Sequence, residues 1–92
     1  MIQSFKHKGL QKYFEKGDYS KIQPVNRKKI RLILSLLNAA TDIRDMSFPG
    51  SNLHKLTGDF DKYWSVSVSG NWRIIFLFED GDAFEVDYLD YH

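Results

Sequence analysis

The stretch Trp64-Ser65-Val66-Ser67-Val68-Ser69-Gly70-Asn71-Trp72-Arg73-Ile74-Ile75-Phe76-Leu77-Phe78-Glu79-Asp80-Gly81-Asp82-Ala83-Phe84-Glu85-Val86-Asp87-Tyr88 decides the fold. Trp64, Val66 and Val68 alternate with serines, the period-2 pattern of a strand with one face on a core. Ser69-Gly70-Asn71 supplies a tight turn. Trp72, Ile74, Phe76 and Phe78 then line one face of a second strand, and Asp80-Gly81 is a strong hairpin signal. Phe84, Val86 and Tyr88 are expected on one face of a third strand. Short turns between successive strands predict an antiparallel meander.

Upstream, Leu53-His54-Lys55-Leu56 reads as a short extended segment closed by Thr57-Gly58-Asp59. Thr41 to Asn52 is rich in turn residues and predicts a loop. A long helix precedes it, with Pro24 in its first turn and Val25, Ile30, Ile33, Leu34, Leu36, Leu37 and Ala40 as its apolar residues. Its second half is apolar around more of its circumference than one sheet-facing stripe needs, so the surplus is expected to pack on another helix. That helix is predicted over His7 to Lys16, where Leu10, Tyr13 and Phe14 fall at helical spacing and Gly17 is a stop. Met1 to Phe5 is expected to form a short first strand. The resulting class is α+β: a short N-terminal strand and two helices packed on one face of an antiparallel sheet.

A length of 92 residues allows one domain, 1–92, with one modest core. The absence of cysteine excludes disulfides and thiolate zinc sites, and a reducing cytoplasm is the natural setting. Met1 to Lys6 carries no apolar run of export-signal length, and the longest apolar cluster, Ile30 to Ala40, is too short for a bilayer. A soluble protein with no membrane partner is expected. Charge is segregated along the chain. Met1 to Arg31 holds nine Lys/Arg against two acids, whereas Glu79 to His92 holds six acids and no Lys/Arg. A basic half of this kind suits a polyanion.

The third strand runs into Asp90-Tyr91-His92, which gathers a carboxylate, a phenol and an imidazole. Strand alternation turns Arg73 away from the helices. His54 before the meander and His92 after it are then expected to reach a concave face around Arg73. Such a set fits phosphoryl chemistry on RNA. A guanidinium binds phosphate bidentately and stabilises charge developing on its oxygens. Imidazoles move protons near neutral pH, and an aromatic ring stacks on a splayed base. The ribose 2′-OH is an internal nucleophile, so the chemistry calls for neither metal nor cofactor. No ligand spacing for a metal, phosphate-cradling glycine loop or Ser/His/Asp pattern is present.

Taken together, Met1 to Leu10, Leu53-His54-Lys55-Leu56-Thr57-Gly58-Asp59, Tyr63-Trp64-Ser65-Val66, Asn71-Trp72-Arg73-Ile74 and Asp87 to His92 resemble the HigB-type toxins of the RelE/ParE superfamily, over essentially the whole chain. The resemblance implies a RelE-like fold and a ribosome-dependent mRNA endonuclease, the toxin of a type II toxin–antitoxin pair. It implies cleavage in the ribosomal A site by attack of the 2′-OH on the adjacent phosphate. His54, Arg73, Asp90, Tyr91 and His92 become the implied catalytic set: Arg73 on the scissile phosphate, His92 in proton transfer with Asp90 assisting, Tyr91 positioning the substrate and His54 as a second proton-transfer or positioning group. Lys6, Lys8, Lys12, Arg27, Lys28, Lys29 and Arg31 become candidates for ribosomal RNA phosphates. Several relatives carry lysine where this chain has Thr57, and Lys55, of the same strand parity, is a candidate substitute. A HigA-like helix-turn-helix antitoxin is the implied protein partner, and operator DNA is reached only through its complex. The alternatives of the same fold are a ParE-like gyrase inhibitor and a non-catalytic RNA- or protein-binding module.

Overall fold

The computed structural model describes residues 1–90. Two helices, α1 (Lys8–Lys16) and α2 (Arg27–Ala39), precede four strands: β1 (His54–Lys55), β2 (Trp64–Ser69), β3 (Trp72–Glu79) and β4 (Asp82–Asp90). The strands form one sheet in sequence order, with every neighbouring pair antiparallel. Ile30, Ile33, Leu34 and Leu37 of α2 and Leu10 of α1 are buried with Val66, Val68, Ile74, Phe76, Val86 and Tyr88 of the sheet. Burying each such aliphatic side chain stabilises the fold by roughly 1.5–3 kcal/mol. The expected α+β arrangement is therefore present, with the helices on one face.

Local capping departs from simple periodicity. The Nδ1 of His7 accepts from the Leu10 amide at 2.9 Å and caps α1. Gly17, at φ 72°, closes that helix in the left-handed conformation. The first turn of the long helix is 3-10 over Pro24–Asn26, and α2 proper starts at Arg27. The expected loop before β1 contains a 3-10 turn, Ile43–Met46, whose ends Asp42 and Asp45 cap each other reciprocally.

Met1 to Phe5 does not build a continuous strand. It touches β4 through two isolated parallel bridges, Ile2 with Ala83 and Phe5 with Val86. The cause lies in β4, where the register slips between Ile75–Asp87 and Leu77–Phe84. Glu85 sits in that interval at φ 50°, as a β-bulge requires of one residue. The extra residue flips strand parity, so Ala83 rather than Phe84 joins Val86 and Tyr88 in the core. Phe84 instead pairs with Leu77, away from the helices.

The sheet's second face is only partly open. Ile75 and Leu56 are buried but stand outside the helix-side core. The segment between β1 and β2, with its 3-10 turn Gly58–Phe60, ends at Tyr63, whose hydroxyl donates to Glu85 Oε1 at 3.0 Å on β4.

Candidate active site

Pairing lays the candidate residues out in rows. His54 pairs with Ser65, Ser65 with Ile75 and Ile75 with Asp87. One row further, Ser67 pairs with Arg73 and Arg73 with Leu89. Side chains directly opposite share a face, so His54 and Arg73 both leave the sheet opposite the helices, as strand alternation predicts. Their Cα atoms are two strands and one dipeptide apart, roughly 12 Å from standard strand spacing and rise. The last row pairs Ser69 with Trp72 and Trp72 with Asp90. Asp90 thus starts on the Trp72 side, not on the Arg73 face, at the very end of the sheet.

Arg73 bends toward that end. Its Nη1 donates to the carbonyl of Gly70 in the β2–β3 turn at 2.7 Å and to that of Trp72, the first residue of β3, at 3.0 Å. These two bonds use both Nη1 protons and fix the guanidinium plane. Nε and Nη2, which form the bidentate edge of an arginine, take no partner among the described residues. Arg73 and Asp90 therefore gather at the rim of the sheet, with the guanidinium turned away from the His54 row. Tyr91 and His92 lie outside the described residues.

His54 is exposed on β1, and its Nδ1 is 2.8 Å from the carbonyl of Asn52. A carbonyl only accepts, so Nδ1 carries the proton and the neutral ring presents its basic lone pair at Nε2. Asn52 holds this arrangement at φ 48°, a conformation asparagine tolerates better than most residues. Lys55 pairs with Trp64 and sets its ammonium 5.4 Å from that ring's centroid. By strand parity it lies on the opposite face from Arg73.

The basic residues are spread over the helix side. Lys6, Lys8, Lys12, Lys28 and Arg31 are exposed, and Lys29 is half-buried. Arg27 is tied down: its Nε donates to the Ile22 carbonyl at 3.1 Å and its guanidinium lies 4.0 Å from the Tyr19 ring centroid. Arg27, Lys28 and Arg31 line a cleft of about 650 Å³ with Tyr13, Phe14 and Tyr19. A second cleft, about 470 Å³, lies between Val25, Leu32, Phe48 and Pro49 beside Lys28 and Lys29. Neither of these two clefts is lined by His54, Arg73 or Asp90.

Sequence reasoning overlooked a buried polar cluster beneath the rim. Asn26, fully buried, donates from Nδ2 to the Tyr88 hydroxyl at 2.7 Å and accepts at Oδ1 from the Ser69 hydroxyl. The Tyr88 hydroxyl in turn donates to Gln23 Oε1 at 2.6 Å, and Trp72 stacks on the Tyr88 ring at 4.7 Å. Burial pushes the Tyr88 phenol above the ordinary tyrosine range; the bond from Asn26 opposes that shift and the Asp90 charge adds to it. In the sequence, Asn26 resembles an ordinary helix cap, and only its burial distinguishes it.

Residues 3–92 match the family model of the RelE-like toxin of type II toxin–antitoxin system HigB. Endoribonuclease HigB of Proteus vulgaris is 45% identical over 92 residues, covering all of both chains. Sheet order, helix placement and full-length similarity agree, and the chain belongs to the HigB family of RelE-like toxins of type II toxin–antitoxin systems.

Proposed function

We propose that the chain is an endoribonuclease that cuts mRNA in the ribosomal A site and so inhibits translation. The observation that carries this reading is Arg73, whose Nη1 is held by the Gly70 and Trp72 carbonyls at the end of the sheet, in the row next to Asp90. The similarity to a protein named endoribonuclease supports the same chemistry.

In this reading Arg73 grips the scissile phosphate and stabilises the charge that builds on its non-bridging oxygens. A base removes the 2′-OH proton, the 2′-oxygen attacks phosphorus and the bond to the 5′-oxygen breaks. A proton delivered to that oxygen completes the step, leaving a 2′,3′-cyclic phosphate and a 5′-hydroxyl. His92 is assigned proton transfer, with Asp90 assisting and Tyr91 placing the base. His54, with Nε2 basic, serves as a second proton-transfer or positioning group further along the substrate. Lys6, Lys8, Lys12, Lys28, Lys29 and Arg31 contact ribosomal RNA, and Arg27 contributes through the cleft it lines with Tyr19. A HigA-like helix-turn-helix antitoxin neutralises the toxin and connects it to operator DNA, all within the cytoplasm.

The test is cleavage of one mRNA, bound to programmed ribosomes or free in buffer with chelator. Cleavage only on the ribosome, with cyclic-phosphate ends, is the expected result. Equal cleavage of free mRNA overturns ribosome dependence, and no cleavage together with gyrase inhibition establishes the ParE-like alternative.

A further inference from the structure

Asn26 occupies the N-cap of α2, where an asparagine side chain ordinarily satisfies a free amide of the first turn and contributes about 1 kcal/mol. Its side chain makes no capping bond. Both ends of the amide are instead committed inside the protein, to Ser69 and to Tyr88. Ser69 is the last residue of β2, directly before Gly70, whose carbonyl holds the Arg73 guanidinium. Tyr88 lies on β4 two residues before Asp90 and stacks on Trp72, the register partner of Asp90. One buried amide thus links the turn that aims Arg73 to the strand that carries Asp90.

Apolar side chains in these places would join helix and sheet without burying polar groups, and such replacements are often neutral for stability. What a saturated hydrogen-bond chain adds is direction and a single arrangement. No buried side-chain nitrogen or oxygen among the described residues is left unpaired, so the chain from Ser69 through Asn26 and Tyr88 to Gln23 is complete. We propose that Asn26 is a positioning residue for RNA cleavage: acting through Ser69 and Tyr88, it fixes the distance between the Arg73 guanidinium and the catalytic end of β4. This role rests on the site assignment given under Proposed function.

The test compares single-turnover cleavage on programmed ribosomes for Ser69→Ala, Ser69→Thr, Tyr88→Phe, Asn26→Ala and Arg73→Ala, with a thermal melt of each protein. Ser69→Ala and Tyr88→Phe each remove one hydroxyl and keep the surrounding packing, so the proposal stays testable if Asn26→Ala fails to fold. The folded Ser69→Ala and Tyr88→Phe proteins are expected to lose about tenfold to a hundredfold in kcat with KM for ribosomes unchanged, the scale of a reacting group misplaced by about 1 Å. Ser69→Thr, which keeps the hydroxyl, is expected to retain the wild-type rate. Wild-type kcat in the folded Ser69→Ala and Tyr88→Phe proteins, with Arg73→Ala inactive, overturns the positioning role and leaves the site standing. A changed KM at constant kcat overturns it equally. Full activity of Arg73→Ala overturns the site assignment itself.

Discussion

Replacing Arg73 with lysine keeps the positive charge at the sheet rim and removes its shape. In the native protein, Nη1 spends its two protons on the Gly70 and Trp72 carbonyls, 2.7 and 3.0 Å away. Three of the five guanidinium N–H groups remain, among them the parallel Nε and Nη2 pair that matches two phosphate oxygens. A lysine ammonium has three donors on one atom and no fixed edge. It satisfies the two carbonyls or the phosphate, and not both with the native geometry. Losing one preorganised transition-state donor costs about 10²–10³ in rate, or about 2.7–4 kcal/mol. The structural loss is smaller, since Arg73 is half-exposed and its two bonds compete with water. About 1 kcal/mol corresponds to a melting point lower by about 4–8 °C in a domain of this size. Single-turnover cleavage on programmed ribosomes, beside a thermal melt, separates the two effects. A folded Arg73→Lys protein that cleaves at close to the wild-type rate refutes the argument, because charge alone would then suffice.

Three further outcomes follow from geometry away from the rim. Gly9→Ala is expected to destabilise although alanine is the better helix former: the new Cβ would overlap Lys21 Cβ and lie 2.9 Å from Lys21 Cγ and 3.0 Å from His7 Cε1. Overpacking of about 1–3 kcal/mol outweighs a propensity gain of about 1 kcal/mol, and a raised melting point would disprove this. Tyr63 and Tyr88 both have phenols shifted upward, chiefly by burial. Folding therefore favours their neutral forms, a contribution fully present below the ordinary tyrosine pKa of about 10 and lost as pH rises through the raised values. Denaturant midpoints should fall above that pH, and Tyr88→Phe should flatten the fall. Lys28→Glu with Arg31→Glu is expected to weaken ribosome association and to reduce its salt dependence without lowering the cleavage rate of the bound complex. An unchanged salt slope in a binding titration would remove these two residues from the RNA contact set.

The meander was legible because Trp64, Val66 and Val68 of β2 and Trp72, Ile74, Phe76 and Phe78 of β3 alternate with a period of two, and the register shift at Ser67/Ser69 leaves that face of β3 on the core. That period also placed Arg73 on the correct face. It failed at Phe84 because a bulge changes parity without changing composition, and Glu85 is not a residue that announces a positive φ. The bend of Arg73 toward the rim was equally hidden, since it depends on the carbonyls of Gly70 and Trp72 rather than on side-chain types. Asn26 was invisible to the sequence for a related reason. A residue suited to a cap stands at a cap position, and only the closeness of Ser69 and Tyr88 shows that its amide is used elsewhere. Period and residue type carry facial placement; they do not carry the long-range bonds that aim a side chain along a face.

The shape of the site bears on how a toxin of this size selects its substrate. An enzyme that grips its own substrate ordinarily does so in a concave pocket that buries most of it. Here two clefts among the described residues lie along α2 and its neighbouring segments, while Arg73 and Asp90 stand at the rim of the sheet and His54 lies further along the face that Arg73 leaves. Roughly 12 Å separates the His54 and Arg73 backbones by strand geometry, wider than one hydrogen-bonded cluster and compatible with more than one nucleotide. A rim of this kind supplies charge and proton donors to a phosphate presented to it, and does little to bend a free, flexible RNA into the in-line geometry that attack by the 2′-OH requires. The proximity and orientation component of catalysis, which is worth about 7–11 kcal/mol when reactants are fully prearranged, must then come from whatever holds the RNA. A codon held on the ribosome is such an arrangement. The exposed lysines and arginines of the helix side would dock the toxin against the surrounding RNA phosphates. On this argument, the proposed ribosome dependence follows from a site whose residues supply the chemistry and whose substrate geometry is supplied by what holds the RNA.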